Sequence, residues 1–166
     1  MEITTSEPYA LTKGDGLSDV WWFGGGRYSV KAGGDQTEGR LYQIHVVEQR
    51  GSGPPLHIHH NADETFYIVD GLLGFLVGEE RLEVGPGNFV FGPKGVPHAY
   101  VACSEQAEFL APFAPASMDR FFEELGGVPV VPGEPAPVAS YPNPEEFARG
   151  AAKWGVEIVG PPLESL

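Results

Sequence analysis

Along the first two thirds of the chain, apolar residues recur at alternate positions in short runs broken by turn sequences. In GRLYQIHVVEQ, Tyr42, Ile44 and Val46 fall on one face of a strand, and Gln43 and His45 on the other. ETFYIVDGLLGFLV reads as a hairpin with Asp70-Gly71 as its two-residue turn. Three short runs follow in EERLEVGPGNFVFGPKGVPHAYVA, separated by GPGN and GPKG, and AEFLAPFAP closes the series. Strands so short and so evenly punctuated, over about residues 19–113, predict an all-β fold: an antiparallel barrel or jelly roll, not βαβ units.

The tail, 117–166, changes character. SMDRFFEELGG predicts a short helix with Ser117 as N-cap and Gly126 just past its end. A Pro-rich connector, VPVVPGEPAPVASYP, predicts no regular structure. NPEEFARGAAKWG then carries every start signal of a helix: Asn143 as N-cap, Pro144 at the first position and acids in the first turn. The expected plan is a barrel with two helices packed outside it, one domain over 1–166.

Composition narrows the class. With 166 residues the chain can bury a core without staples. Its 23 Gly and 16 Pro are spread between apolar runs, which indicates turns and not disorder. A net charge of −13 argues against nucleic acid or an anionic membrane as partner. The single cysteine, Cys103, excludes a disulfide framework and fits a reducing compartment. MEITTSEPYA has neither the basic nor the apolar segment of a signal peptide, and no apolar run is long enough to span a membrane, so a cytoplasmic location is expected.

Three of five histidines lie in PPLHIHHNADETFYIVDG. On a strand, His57 and His59 share a face with their Cα atoms about 6.5–7 Å apart, close enough for one ion. His60 has the opposite parity and should face away. An NAD turn at 61–63 would let Glu64 open the neighbouring antiparallel strand and return alongside His59, sharing a face with Phe66 and Ile68. A carboxylate on that apolar face needs a partner. GPKGVPH delivers His98 at the start of another strand, with Tyr100 on its face; Pro97 suits a position with no hydrogen-bond donor. Three imidazoles and one carboxylate would form a mixed nitrogen and oxygen site open to further ligands. Taken singly, His57 and His59 also fit a polar surface pair, His98 a turn-adjacent surface histidine, and Phe66 ordinary core; His45 and His60 read as surface.

The joint spacing resembles the cupin superfamily. Gly51, His57, His59, Glu64 and Gly71 match its first motif, G-x5-H-x-H-x4-E-x6-G. Gly87, Pro93, Gly95 and His98 match its second, G-x5-P-x-G-x2-H-x3-N, whose final Asn is replaced by Ala102. The resemblance implies His57, His59, Glu64 and His98 as ligands of one divalent transition metal: Fe, Mn, Co, Ni, Cu or Zn. PYALTKGDG, YSVKAGGDQTEGRLY, FGPKGVPHAY and MDRFFEELGG further resemble segments of small bacterial one-domain quercetin 2,3-dioxygenase-like cupins. That implies a flavonol or similar enolisable polyphenol, opened by O2 with loss of carbon monoxide. In that reading Glu64 doubles as general base, and Phe66, Tyr42 and Tyr100 wall the substrate. The same ligands also serve other metal-dependent chemistry, such as a polyketide cyclase, isomerase or lyase. A non-enzymatic small-molecule-binding cupin is the third alternative. Sheet edges and the VWWFGGG segment suggest a homodimer.

Overall fold

In the computed structural model, residues 7–137 and 142–166 are described. The N-terminal segment read above for signal features lies largely outside them, as do 138–141 of the Pro-rich connector. The chain begins with β1 (Ser18–Trp21), a 3-10 turn (Phe23–Gly25), β2 (Arg27–Ala32), a one-turn helix α1 (Gly34–Thr37) and β3 (Tyr42–Gln49). It continues with β4 (Pro55–His59), β5 (Asp63–Asp70), β6 (Leu73–Val77), β7 (Glu80–Val84) and β8 (Phe89–Gly92). After β9 (His98–Ala102) and β10 (Gln106–Ala114) come α2 (Phe121–Glu124), β11 (Val128–Pro129), α3 (Pro144–Ala152) and β12 (Val156–Pro162).

These strands form two antiparallel sheets. One has the order β11-β1-β2-β3-β10-β5-β8, the other β12-β4-β9-β6-β7. The alternation along β3 is realised: Tyr42, Ile44, Val46 and Glu48 are buried, and their neighbours half-buried. The two sheets enclose a core of Phe66, Ile68, Phe75, Phe109 and Phe113. No helix among the described residues is long and apolar enough to cross a membrane.

Several expectations are corrected. Residues 64–77 do not form a hairpin: β5 pairs with β10 and β8, while β6 pairs with β7 and β9 in the other sheet. Asp70-Gly71 is therefore a corner between sheets. Gly71 turns it at φ 77°, where a Cβ would meet the Gln106 carbonyl oxygen at 2.2 Å. The first tail helix is a single turn whose N-cap position is Arg120, without a side-chain cap. Asp119, inside the stretch expected to be helical, accepts with its side chain from the Gly34 amide of α1. The connector begins as strand β11, with Pro129 on a sheet edge where a missing donor costs nothing. The sequence reading passed over β12, which lies beside β4 and turns Val156 inward. The second tail helix forms as expected, Asn143 Oδ1 accepting from the amides of Glu145 at 2.9 Å and Glu146 at 3.2 Å.

Trp22 is only 9% exposed and packs within its own chain, edge-on to Phe122 with centroids 5.1 Å apart and near Phe147. This aromatic cluster ties α2 and α3 to the barrel. Exposed aromatic surface lies elsewhere, on Phe89 (62%), Phe91 (50%) and Tyr67 (49%), at the free edge made by β8.

Candidate metal centre

Strand parity aims the first two imidazoles. His57 and His59 are buried on one face of β4, Ile58 between them is half-buried, and His60 is exposed with its ring 2.7 Å from Glu157. His98 opens β9 directly opposite His57 in the ladder. Glu64 arrives by a different route from the one expected. It sits on β5 in the facing sheet, so it crosses the barrel interior toward the three imidazoles instead of lying on a strand paired with β4.

The loop before β9 clamps these segments. The Gly95 amide donates to the His59 carbonyl at 2.9 Å, and the Lys94 amide donates to Asp63 Oδ1 at 2.8 Å, one residue before Glu64. The glycine of GPKG, with φ 82°, and the acid of NAD thus register the ligand-bearing strands against one another.

One ligand atom from each of His57, His59, Glu64 and His98 lies within 4.8 Å of every other, and all four residues are buried. Nε2 of His59 and Nε2 of His98 are each 3.0 Å from Glu64 Oε2, and the Nε2 atoms of His57 and His59 are 3.1 Å apart. His57 Nδ1 lies 2.8 Å from the Pro55 carbonyl and His98 Nδ1 lies 3.0 Å from that of Val96. A carbonyl only accepts, so each Nδ1 carries the proton and each Nε2 is left to face the cluster.

Electrostatics prepare the group for a cation. Burial, with His98 and His59 alongside, lowers the His57 pKa to about 3, so its Nε2 is free of a proton at neutral pH. Burial alone would raise Glu64, but hydrogen bonds from His59 and His98 outweigh it and hold the carboxyl at about 2. His98 is likewise subject to burial, which lowers it, yet Glu64 draws it above its ordinary value. A buried anion facing three imidazole nitrogens is a donor set that a divalent ion fits, displacing the protons now shared between His and Glu. His57, His59, Glu64 and His98 are thus a buried group able to hold a metal ion.

A cavity of about 60 Å³ adjoins the group, bordered by His57, His59 and Glu64 and otherwise mostly by apolar side chains such as Ile44, Val46, Phe109 and Phe113. Tyr100 is in this lining. Phe66 and Tyr42 are not: Phe66 packs against Phe75 and Tyr100, and Tyr42 against Phe113. His45 pairs with Glu108 at 2.7 Å, away from the group.

Sequence reading missed a second buried polar cluster. Glu48 Oε1 accepts from the hydroxyls of Tyr28 and Tyr100, the latter at 3.0 Å, and the two hydroxyls are 3.0 Å apart. The signal was available, since Glu48 continues the inward parity of Tyr42, Ile44 and Val46.

A family model described as a cupin domain matches residues 44–113, the stretch that holds all four clustered residues. That stretch is similar to a cupin domain. It is 29% identical over 147 residues to quercetin 2,3-dioxygenase of Bacillus subtilis (strain 168), an alignment covering 87% of this chain. The chain spans 42% of that relative's length. Among solved structures, an RmlC-like cupin from Shewanella frigidimarina superposes with a TM-score of 0.58 at 19% identity, over 70% of this chain and 98% of that one. The polyketide cyclase RemF from Streptomyces resistomycificus gives 0.55 at 18%, over 65% and 80%. At such identities these cupin structures speak to the jelly-roll fold alone.

Proposed function

We propose that this cupin is a metal-dependent dioxygenase of the quercetinase type, acting on a flavonol or similar enolisable polyphenol with O2 in the cytoplasm. The buried group of three imidazoles and one carboxylate beside an apolar cavity carries this reading, and the Bacillus subtilis relative supports the substrate class. His57, His59, Glu64 and His98 would hold the ion. A divalent transition metal in that place supplies Lewis acidity, which lowers the pKa of a substrate hydroxyl.

The remaining work falls to the chain itself. Glu64 is ionised across the neutral range and is the group placed to accept the hydroxyl proton. The imidazoles of His57 and His98 are kept from turning by their Nδ1–H bonds to backbone carbonyls. The apolar lining of the space beside the group keeps bulk water from the reacting atoms.

The test begins with metal analysis of protein purified without a histidine tag. Oxygen uptake and carbon monoxide release are then followed with a panel of flavonols. Glu64→Gln should keep the fold and cut turnover by about 10²–10⁴-fold, the usual effect of losing a general base. Wild-type turnover in that variant would end the proposed role of Glu64. Bound metal without oxygen uptake would assign the site to another cupin chemistry, such as cyclisation, isomerisation or lysis.

A further inference from the structure

Beyond the 60 Å³ space next to the histidines lies a second cavity of about 510 Å³. Trp22, Pro54, Pro55, Phe147 and Ile158 border both, so the two spaces share one wall. The inner one is far below the few hundred Å³ that an organic ligand of ordinary size occupies, whereas the outer one is within that range. Much of the outer wall comes from the C-terminal extension, through Phe147 of α3 and Ile158, Pro161 and Pro162 of β12. Aromatic rings are flat, proline rings are rigid, and both are apolar and lose little freedom when a flat molecule lies against them.

Among the described lining residues only Glu48 carries a charge, and it is 1% exposed. Its two oxygens are not equivalent. Oε1 takes both tyrosine hydroxyls, whereas Oε2 has no hydrogen-bond partner. Oε2 lies against Gly26, where a Cβ would come within 2.5 Å of it. A buried carboxylate oxygen left unpaired is costly, and a donor brought by a bound molecule would satisfy it.

We propose that this outer cavity binds a planar, two-ring aromatic molecule bearing a hydroxyl, with the rings against Trp22, Phe147 and the prolines and the hydroxyl donating to Glu48. The natural ligand rests on the polyphenol reading above; the site itself does not. Glu48 acts here as a specificity residue, outside the metal group.

The probes are 1-naphthol and 1-methoxynaphthalene, which share a ring system but differ in having a donor. Binding to the full chain is followed by calorimetry at pH 8, with metal bound and again after chelation. The wild type should prefer 1-naphthol by about tenfold or more, the usual weight of a hydrogen bond to a charged group. That preference should survive chelation. In Glu48→Gln the tyrosines still hold the side-chain oxygen, so the amide NH2 takes the place of Oε2 and a donor meets a donor. The preference should then fall within about twofold. Ile158→Trp, which fills the cavity, should weaken both probes about tenfold or more.

Equal affinities in the wild type, a preference that vanishes on chelation, or binding unaffected by Ile158→Trp would each overturn the proposal. A preference retained by a folded Glu48→Gln protein would do the same. If that variant does not fold, the wild-type comparison and Ile158→Trp decide. Naphthol preference without flavonol turnover would refute only the proposed function, and turnover without the preference only this site.

Discussion

Replacing Glu48 by glutamine should change how stability depends on pH, in a direction that follows from the structure. Burial raises the Glu48 carboxyl from 4.5 to about 7, although hydrogen bonds from Tyr28 and Tyr100 pull the other way. Between those two values the folded protein keeps a proton that the unfolded chain has lost. The slope of unfolding free energy against pH is then negative, so this contribution is fully present below about 4.5 and is lost as pH rises through about 7. Converted at 1.36 kcal/mol per pH unit, the span amounts to about 3 kcal/mol. Glutamine does not titrate. The unfolding free energy of the wild type, minus that of Glu48→Gln, should therefore fall by about 3 kcal/mol between pH 4 and 9.

The groups facing Glu48 do not confuse this reading. Tyr28 and Tyr100 are pushed well above their ordinary value, by burial first and then by Glu48, and stay neutral throughout. His57, Glu64 and His98 titrate in both proteins and cancel in the difference. Urea unfolding of chelated protein at closely spaced pH values measures the quantity directly. In a domain of this size about 3 kcal/mol also corresponds to a melting-temperature difference of about 6–12 °C. A difference that is flat or rises with pH would show that Glu48 does not keep its proton in the folded state, and would refute the reasoning.

Saturating the protein with a divalent transition metal at 100 times its dissociation constant should stabilise it by about 2.7 kcal/mol, and chelation should reverse this; His98→Ala should abolish the shift in a melting assay. Gly53→Ala should be strongly destabilising in denaturant unfolding, by about 3 kcal/mol or more, because its Cβ would come within 1.9 Å of the Tyr100 carbonyl oxygen. We propose that the expected homodimer forms at the free edge at β8, where Phe89 and Phe91 are exposed. Light scattering should then give a dimer for the wild type and a monomer for Phe91→Glu, and a monomeric wild type would remove the interface.

Much of the candidate metal group was legible in the chain because its determinants are local. Parity on a single strand puts His57 and His59 together and turns His60 away, whatever the rest of the fold does. Capping chemistry at Asn143 is equally local, and α3 begins where that residue predicts. The inward alternation of Tyr42, Ile44 and Val46 reached Glu48 too, but one acid at the end of an apolar stripe does not announce its tyrosine partners. Tyr28 is 20 residues away and Tyr100 is 52.

What tertiary structure alone decided is which strands become neighbours. Asp70-Gly71 has the local pattern of a hairpin turn, yet the chain changes sheets there, because β10 and β8 flank β5 and leave β6 to pair with β9 and β7. Glu64 therefore meets the imidazoles across the barrel interior, not along a ladder. The same holds for β12, which the sequence reading passed over and which pairs with β4 about 100 residues earlier in the chain. Strand pairing is won by burying apolar faces between segments far apart in sequence, and that competition leaves no trace in any one window of residues.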